Sequence, residues 1–165
     1  MKQKSDVRIT TVLGWTGFVL IVVCFIYFWY IVPYHLCFKE QIQLFTYNST
    51  YLLSYFSKSA SLACLIGDFF IQFFYFKGIG ALIVTLLLAV EWLLIFHVLK
   101  RFSVQRYALL WSFLPVIFEW FTIPYSFSLA LSVSFLIALT AFLIYTKFSG
   151  KIVITLLIPV VYMVA

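Results

Sequence analysis

Four carboxylates stand where a side-chain acid can do chemistry: Glu40, Asp68, Glu91 and Glu119. Glu91 lies within a long uncharged run, at a depth where an ionised carboxylate is costly unless it is paired. Such an acid either serves a proton or ion relay or is protonated and hydrogen-bonded locally. No basic residue falls at its depth, so the local partner expected is Ser112, level with Glu91 when residues are counted from two inner helix ends, or a nearby indole. Both readings stay open on these residues alone.

Glu40 and Asp68 fall in a mixed polar and aromatic stretch, and Glu119 near the end of a later apolar run; all three are expected on the outer face. Carboxylates that converge can bind a divalent cation or act as a general base toward an acceptor hydroxyl, which makes Glu40 and Asp68 the catalytic candidates. His35 stands five residues before Glu40, but the spacing matches no common metal pattern, and the metal and cofactor question stays open. His97, one turn from an inner helix end, is expected to reach water.

The elements that must position these acids are membrane spans. Apolar residues make up 65% of the chain and charged ones 10%, too few polar groups to coat a soluble globule of 165 residues. The expected fold is all-α, a single polytopic membrane domain with four full spans at about 11–32, 78–99, 102–121 and 125–145, and a partial fifth at 152–165. The fifth run is too short to cross a hydrocarbon core about 30 Å thick, and the expectation is that the chain continues in a larger protein.

Basic residues set the orientation. Lys2, Lys4, Arg8, Lys100, Arg101, Arg106, Lys147 and Lys151 flank the predicted inner ends, against Lys39, Lys58 and Lys77 in the outer segment 33–77. This bias places the N-terminus in the cytoplasm. Because topology accounts for the net positive charge, nucleic acid is not expected as a partner; the lipid bilayer is, together with further C-terminal spans or another membrane subunit.

Within the outer segment, Leu62, Leu65, Ile66, Phe69, Phe70 and Phe73 recur at helical spacing, with Asp68 and Gln72 on another face. That pattern predicts a helix lying in the membrane interface. Pro33 is expected to end the first span, Pro115 to kink the third, and residues 122–124 to form a turn. Ala130, Ser134 and Ala138 form a small-residue ridge suited to close helix packing. Cys24 reads as a buried apolar filler, and pairing of Cys37 with Cys64 stays open.

The stretch YFWYIVPYHLCFKEQIQLF, followed by YLLSYF and GDFFIQFFYFKGIGALIVTLLLAVEWLL, resembles the N-terminal part of a family of large bacterial multi-pass membrane proteins with a domain of unknown function. The resemblance covers roughly residues 28–94 and implies the bacterial cytoplasmic (inner) membrane. A second, weaker similarity is to C-type glycosyltransferases, which carry an acidic residue in a first outer loop with interfacial helices. It implies a lipid-linked or envelope glycan substrate with Glu40 and Asp68 as base or metal ligand, although no adjacent pair of acids is present. A transporter or transporter subunit using Glu91, and a non-catalytic assembly protein packing through the Ala130 ridge, are the competing functions.

Overall fold

The computed structural model describes residues 2–34, 36, 38, 45–76, 78–101, 107–126 and 128–147, and their regular structure is entirely helical. In chain order the helices are α1 (Lys2–Ile26), extended by a π turn at Tyr27–Ile31; α2 (Ser49–Ser54), with a 3-10 turn at Tyr55–Ser57; and α3 (Ser61–Ile71), with a 3-10 turn at Gln72–Tyr75. Then follow α4 (Ile79–Arg101), α5 (Ala108–Ser126) and α6 (Leu129–Lys147). Three stretches are long and apolar enough to cross a membrane: Gly14–Ile31, Ile79–Arg101 and Leu129–Lys147. The apolar part of α5, Ala108–Ile123, is shorter. The expected partial fifth span lies outside the described residues, as do Glu40, His35 and Cys37.

α4 is the hub, because α1, α5 and α6 all pack against it. Its buried positions, including Ala81, Val84, Leu88, Trp92 and Ile95, recur every three or four residues and form one continuous face. The opposite face carries Leu82, Leu86, Val90 and Leu93, and Leu82 and Leu86 are about half exposed at 48% and 50%. A helix of a soluble protein would place charge there; apolar side chains on both the buried and the exposed faces suit a hydrocarbon surrounding.

Two glycines set the antiparallel fit of α1 on α4. A Cβ at Gly17 would come within 2.8 Å of the Trp92 ring, and one at Gly78 within 2.6 Å of the Trp29 ring. Gly78 also has φ +102°, which makes the short reversal between Phe76 and Ile79 possible for glycine and strained for other residues. Val32 leaves helical geometry (φ −121°, ψ 25°) immediately before Pro33, in keeping with the poor fit of the helical region to a residue that precedes proline. Cys24 is buried in the core, with Phe28 and Val32.

The segment Ser61–Tyr75 crosses the end of the bundle at which α4 and α6 begin. Its middle touches the first turn of α6, where a Cβ at Gly67 would lie 2.8 Å from the Ala130 backbone nitrogen, and its end touches the first turn of α4, where Phe74 covers Gly80. The buried residues of α3 are Ala63, Gly67 and Ile71, a narrow row at four-residue spacing. Of the bulky residues expected to define its apolar face, Leu62 is exposed and the others are only partly buried, Phe70 among them packing on the core, so the closest contact is made at Ala63 and Gly67. Of the ridge on α6, Ala130 packs in this way, Ser134 Oγ donates to the Leu131 carbonyl at 2.8 Å, and Ala138 is exposed.

The boundaries of α5 differ from expectation. The helix runs unbroken through Pro115 and Pro124 to Ser126, so residues 122–124 are helical rather than a turn, and α6 begins at Leu129. Each proline removes one hydrogen bond to the carbonyl four residues before it, a loss that neighbouring helices and hydroxyls can offset in a membrane helix.

Candidate functional site

Glu91 projects from the middle of α4 and is 2% exposed. Its carboxyl faces that of Glu119 on α5, and the two are placed to share a hydrogen bond. Two carboxyl groups can form such a bond only with a proton between them. From α6, Ser132 Oγ donates to Glu119 Oε1, and the Thr122 hydroxyl donates to the Glu119 backbone carbonyl at 2.9 Å. One turn of α5, the start of α6 and the middle of α4 thus converge on a single carboxyl pair.

The pair sits in a cleft. α5 and α6 follow one another in the chain, yet each packs on α4 far more than on its neighbour, and the space between them is about 410 Å³. Glu91 and Glu119 line it with the hydroxyl-bearing Thr122, Ser128 and Ser132. Its remaining walls are Pro115, Phe118, Leu131 and Phe135, of which Phe118 is 70% and Leu131 67% exposed. The cleft therefore opens sideways through an apolar rim, and among the described residues no Lys, Arg or His lines it.

Glu91 has a different partner from the one expected. Ser112 is buried, but its Oγ donates to the Leu109 carbonyl at 2.8 Å. The indole nitrogens of Trp92 and Trp120 are buried without an acceptor among the described residues, so no indole serves Glu91 either. Glu119, expected among the acids of the outer face, lies instead at the depth of Glu91. The cause is the shift in α5: Glu91 stands ten residues before Arg101 and Glu119 eleven after Ala108, whereas a helix beginning at residue 102 would bring Ser112 level. Ser132 and Thr122 were missed because neither carries a distinguishing pattern; an antiparallel count from the true helix ends is the signal that finds Glu119.

Asp68 belongs to a second polar cluster, at the end of the bundle crossed by α3. Tyr55 donates its hydroxyl to Asp68 Oδ2 at 2.6 Å, and the Tyr51 hydroxyl lies 2.6 Å from that of Tyr55. Since Tyr55 uses its proton on the carboxylate, Tyr51 is the donor to Tyr55. Burial pushes the Tyr55 hydroxyl well above the ordinary tyrosine range, and the hydrogen bond to Asp68 adds to the effect. Lys58 Nζ lies 4.4 Å from the centre of the Tyr55 ring, and the Tyr47 hydroxyl donates to Gln72 at 3.3 Å. Glu40, the other catalytic candidate, lies outside the described residues.

Among the described residues no group of three or more His, Cys, Asp or Glu side chains is arranged to hold a metal ion. His97 is exposed and its Nδ1 donates to the Leu93 carbonyl at 2.7 Å. Cys64 Sγ faces the Ser59 carbonyl at 3.8 Å.

A family model described as "Family of unknown function (DUF6057)" matches residues 8–165. No curated protein and no solved structure matches the chain.

Proposed function

We propose, for a chain that belongs to this family of unknown function (DUF6057), that it is a multi-pass membrane transporter or transporter subunit whose Glu91–Glu119 pair carries a proton within the membrane. Four crossings, formed by α1, α4, α5 and α6, with the N-terminus in the cytoplasm of a bacterial cell, are the topology of this reading. The basic residues Lys100, Arg101 and Lys147 at the ends of α4 and α6 support the orientation. The observation that carries the function is the convergence of two carboxyls from neighbouring helices on a cleft that no Lys, Arg or His lines among the described residues. A buried acid kept for stability alone is neutralised by a base or by local donors; an acid paired with an acid holds one proton that either partner can release.

The flux of protons tests it. The full chain is reconstituted in liposomes containing a pH-sensitive dye, and a potassium diffusion potential drives protons inward. Wild-type protein is expected to acidify the interior faster than empty liposomes do, and Glu91→Gln to abolish the difference. A Glu91→Gln rate equal to wild type, or a wild-type rate equal to empty liposomes, overturns the proposal.

The Tyr51–Tyr55–Asp68 chain favours a second reading, in which Asp68, with Glu40, acts as base or metal ligand toward a lipid-linked or envelope glycan. A hydrogen-bonded tyrosine pair leading to a carboxylate is a suitable path for a proton taken from an acceptor hydroxyl. Loss of an envelope-linked activity of the full-length protein in both Asp68→Asn and Glu40→Gln tests it, and an unchanged activity in both removes it. A non-catalytic assembly role would rest on Ala138, the exposed end of the small-residue ridge, and predicts that Ala138→Leu breaks a membrane complex.

A further inference from the structure

The cleft between α5 and α6 is too large for the pair's proton alone. At about 410 Å³ it falls within the roughly 300–1,000 Å³ of small-molecule sites and far exceeds what a bare cation needs. Its lining is divided: carboxyls and hydroxyls at the base, apolar side chains at the rim. A ligand that matches this division has a polar head and an apolar body, and the sideways opening past Phe118 and Leu131 lets such a molecule enter from the hydrocarbon.

The sign of the head follows from charge. Two facing carboxyls carry net negative charge whenever either is ionised, and no basic side chain lines the cleft among the described residues. The groups that face Glu91 here are Glu119 from α5 and hydroxyls from α5 and α6, all acceptors or weak donors. A phosphate or carboxylate head meets repulsion in surroundings where charge is poorly screened; an ammonium donates to the carboxyl oxygens and neutralises the pair. We infer that the cleft binds a lipophilic amine, its protonated nitrogen against Glu91 and Glu119 and its apolar body between Pro115, Phe118, Leu131 and Phe135. This rests on the transporter reading and names the substrate class of that same site; the lipid-linked phosphates implied by a glycan substrate do not fit here.

The test uses three fluorescent probes with one alkyl tail and an ammonium, a hydroxyl or a phosphate head, titrated onto the full chain in nanodiscs of zwitterionic lipid, with empty nanodiscs subtracted. The ammonium probe is expected to bind about tenfold or more tighter than either other probe. Replacing both acids, Glu91→Gln with Glu119→Gln, is expected to bring it down to the hydroxyl value, and Leu131→Trp, which fills the mouth without touching the acids, to weaken it at least several-fold. Variants are compared only where size-exclusion profiles match wild type, and Ser132→Ala serves if the double variant fails to fold, with a smaller loss of the ammonium preference. Equal binding of the three heads, a preference for phosphate, or an ammonium preference unchanged in both acid and serine variants overturns the inference. Proton flux that depends on Glu91 without amine binding would sink the substrate class and leave the transporter reading; amine binding without flux would do the reverse.

Discussion

Asp68 and Glu91 are both acids drawn into contact with the packed interior, and the molecule treats them in opposite ways. Asp68, at the end of the bundle, receives a proton donor from Tyr55, which is itself served by Tyr51. Glu91, in the middle of the bundle, receives a second acid. Neutral donors stabilise a fixed negative charge and leave it nothing to exchange; a second carboxyl supplies a proton whose owner can change. The contrast separates an acid held by neutral donors from one held by another acid, the first partly buried and the second fully.

The most severe challenge to that contrast is to exchange the consequences. Glu119→Leu leaves Glu91 buried without its partner, and proton flux is expected to fall to the level of empty liposomes, while Asp68→Asn changes flux less than about twofold, since an amide still accepts from Tyr55. Equal losses in the two variants, measured in the same dye-loaded liposomes, would erase the distinction.

Next in size is the contact that holds α3 in place. Gly67→Val would drive a side chain into the Ala130 backbone, which cannot move aside as a flexible side chain would, and is expected to cost about 1–3 kcal/mol of thermal stability in detergent. A melting temperature equal to wild type would show that α3 does not rest on α6.

Tyr55→Phe removes the donor to Asp68 and is expected to cost about 1–2 kcal/mol with flux unchanged. A flux defect there would instead join the two clusters into one path. The smallest effect belongs to Ala60, whose φ of 53° puts a side-chain-bearing residue in the left-handed region before α3. Ala60→Gly is expected to raise stability by up to about 1 kcal/mol, read as a slightly higher melting temperature; a lower one would mean that the lost Ala60 side chain contributes more than the relieved backbone.

How much was legible depended on punctuation. α4 was readable nearly to the residue, 78–99 expected against 79–101 observed, because Gly78 and the Lys100–Arg101 pair bracket it. α6 was expected four residues early, since apolar residues on both sides of 127–128 give no mark of where one helix stops. The same ambiguity at residues 102–107 misplaced the start of α5, and that single shift exchanged Ser112 for Glu119 as the group facing Glu91. That Glu91 sits within an apolar helix was legible from composition; its neighbour depended on where the next helix starts, to which apolar periodicity is blind. In α3 the helix was visible, but the face it buries was not, because bulk signals hydrophobicity while close helix contact in this molecule is made by Gly67 and Ala63.

α5 ends at Ser126 and α6 begins at Leu129, so the two walls of the cleft they enclose lie nearest to each other in the chain at that end. Along a helix rising about 1.5 Å per residue, Glu119 stands about 10 Å from Ser126 and Pro115 about 16 Å. Any rotation of α5 against α6 about that end therefore displaces Pro115 roughly one and a half times as far as Glu119. The lever is shortest at Ser128, so Glu119 and its contact with Ser132 are displaced less than Pro115 at the far wall of the cleft.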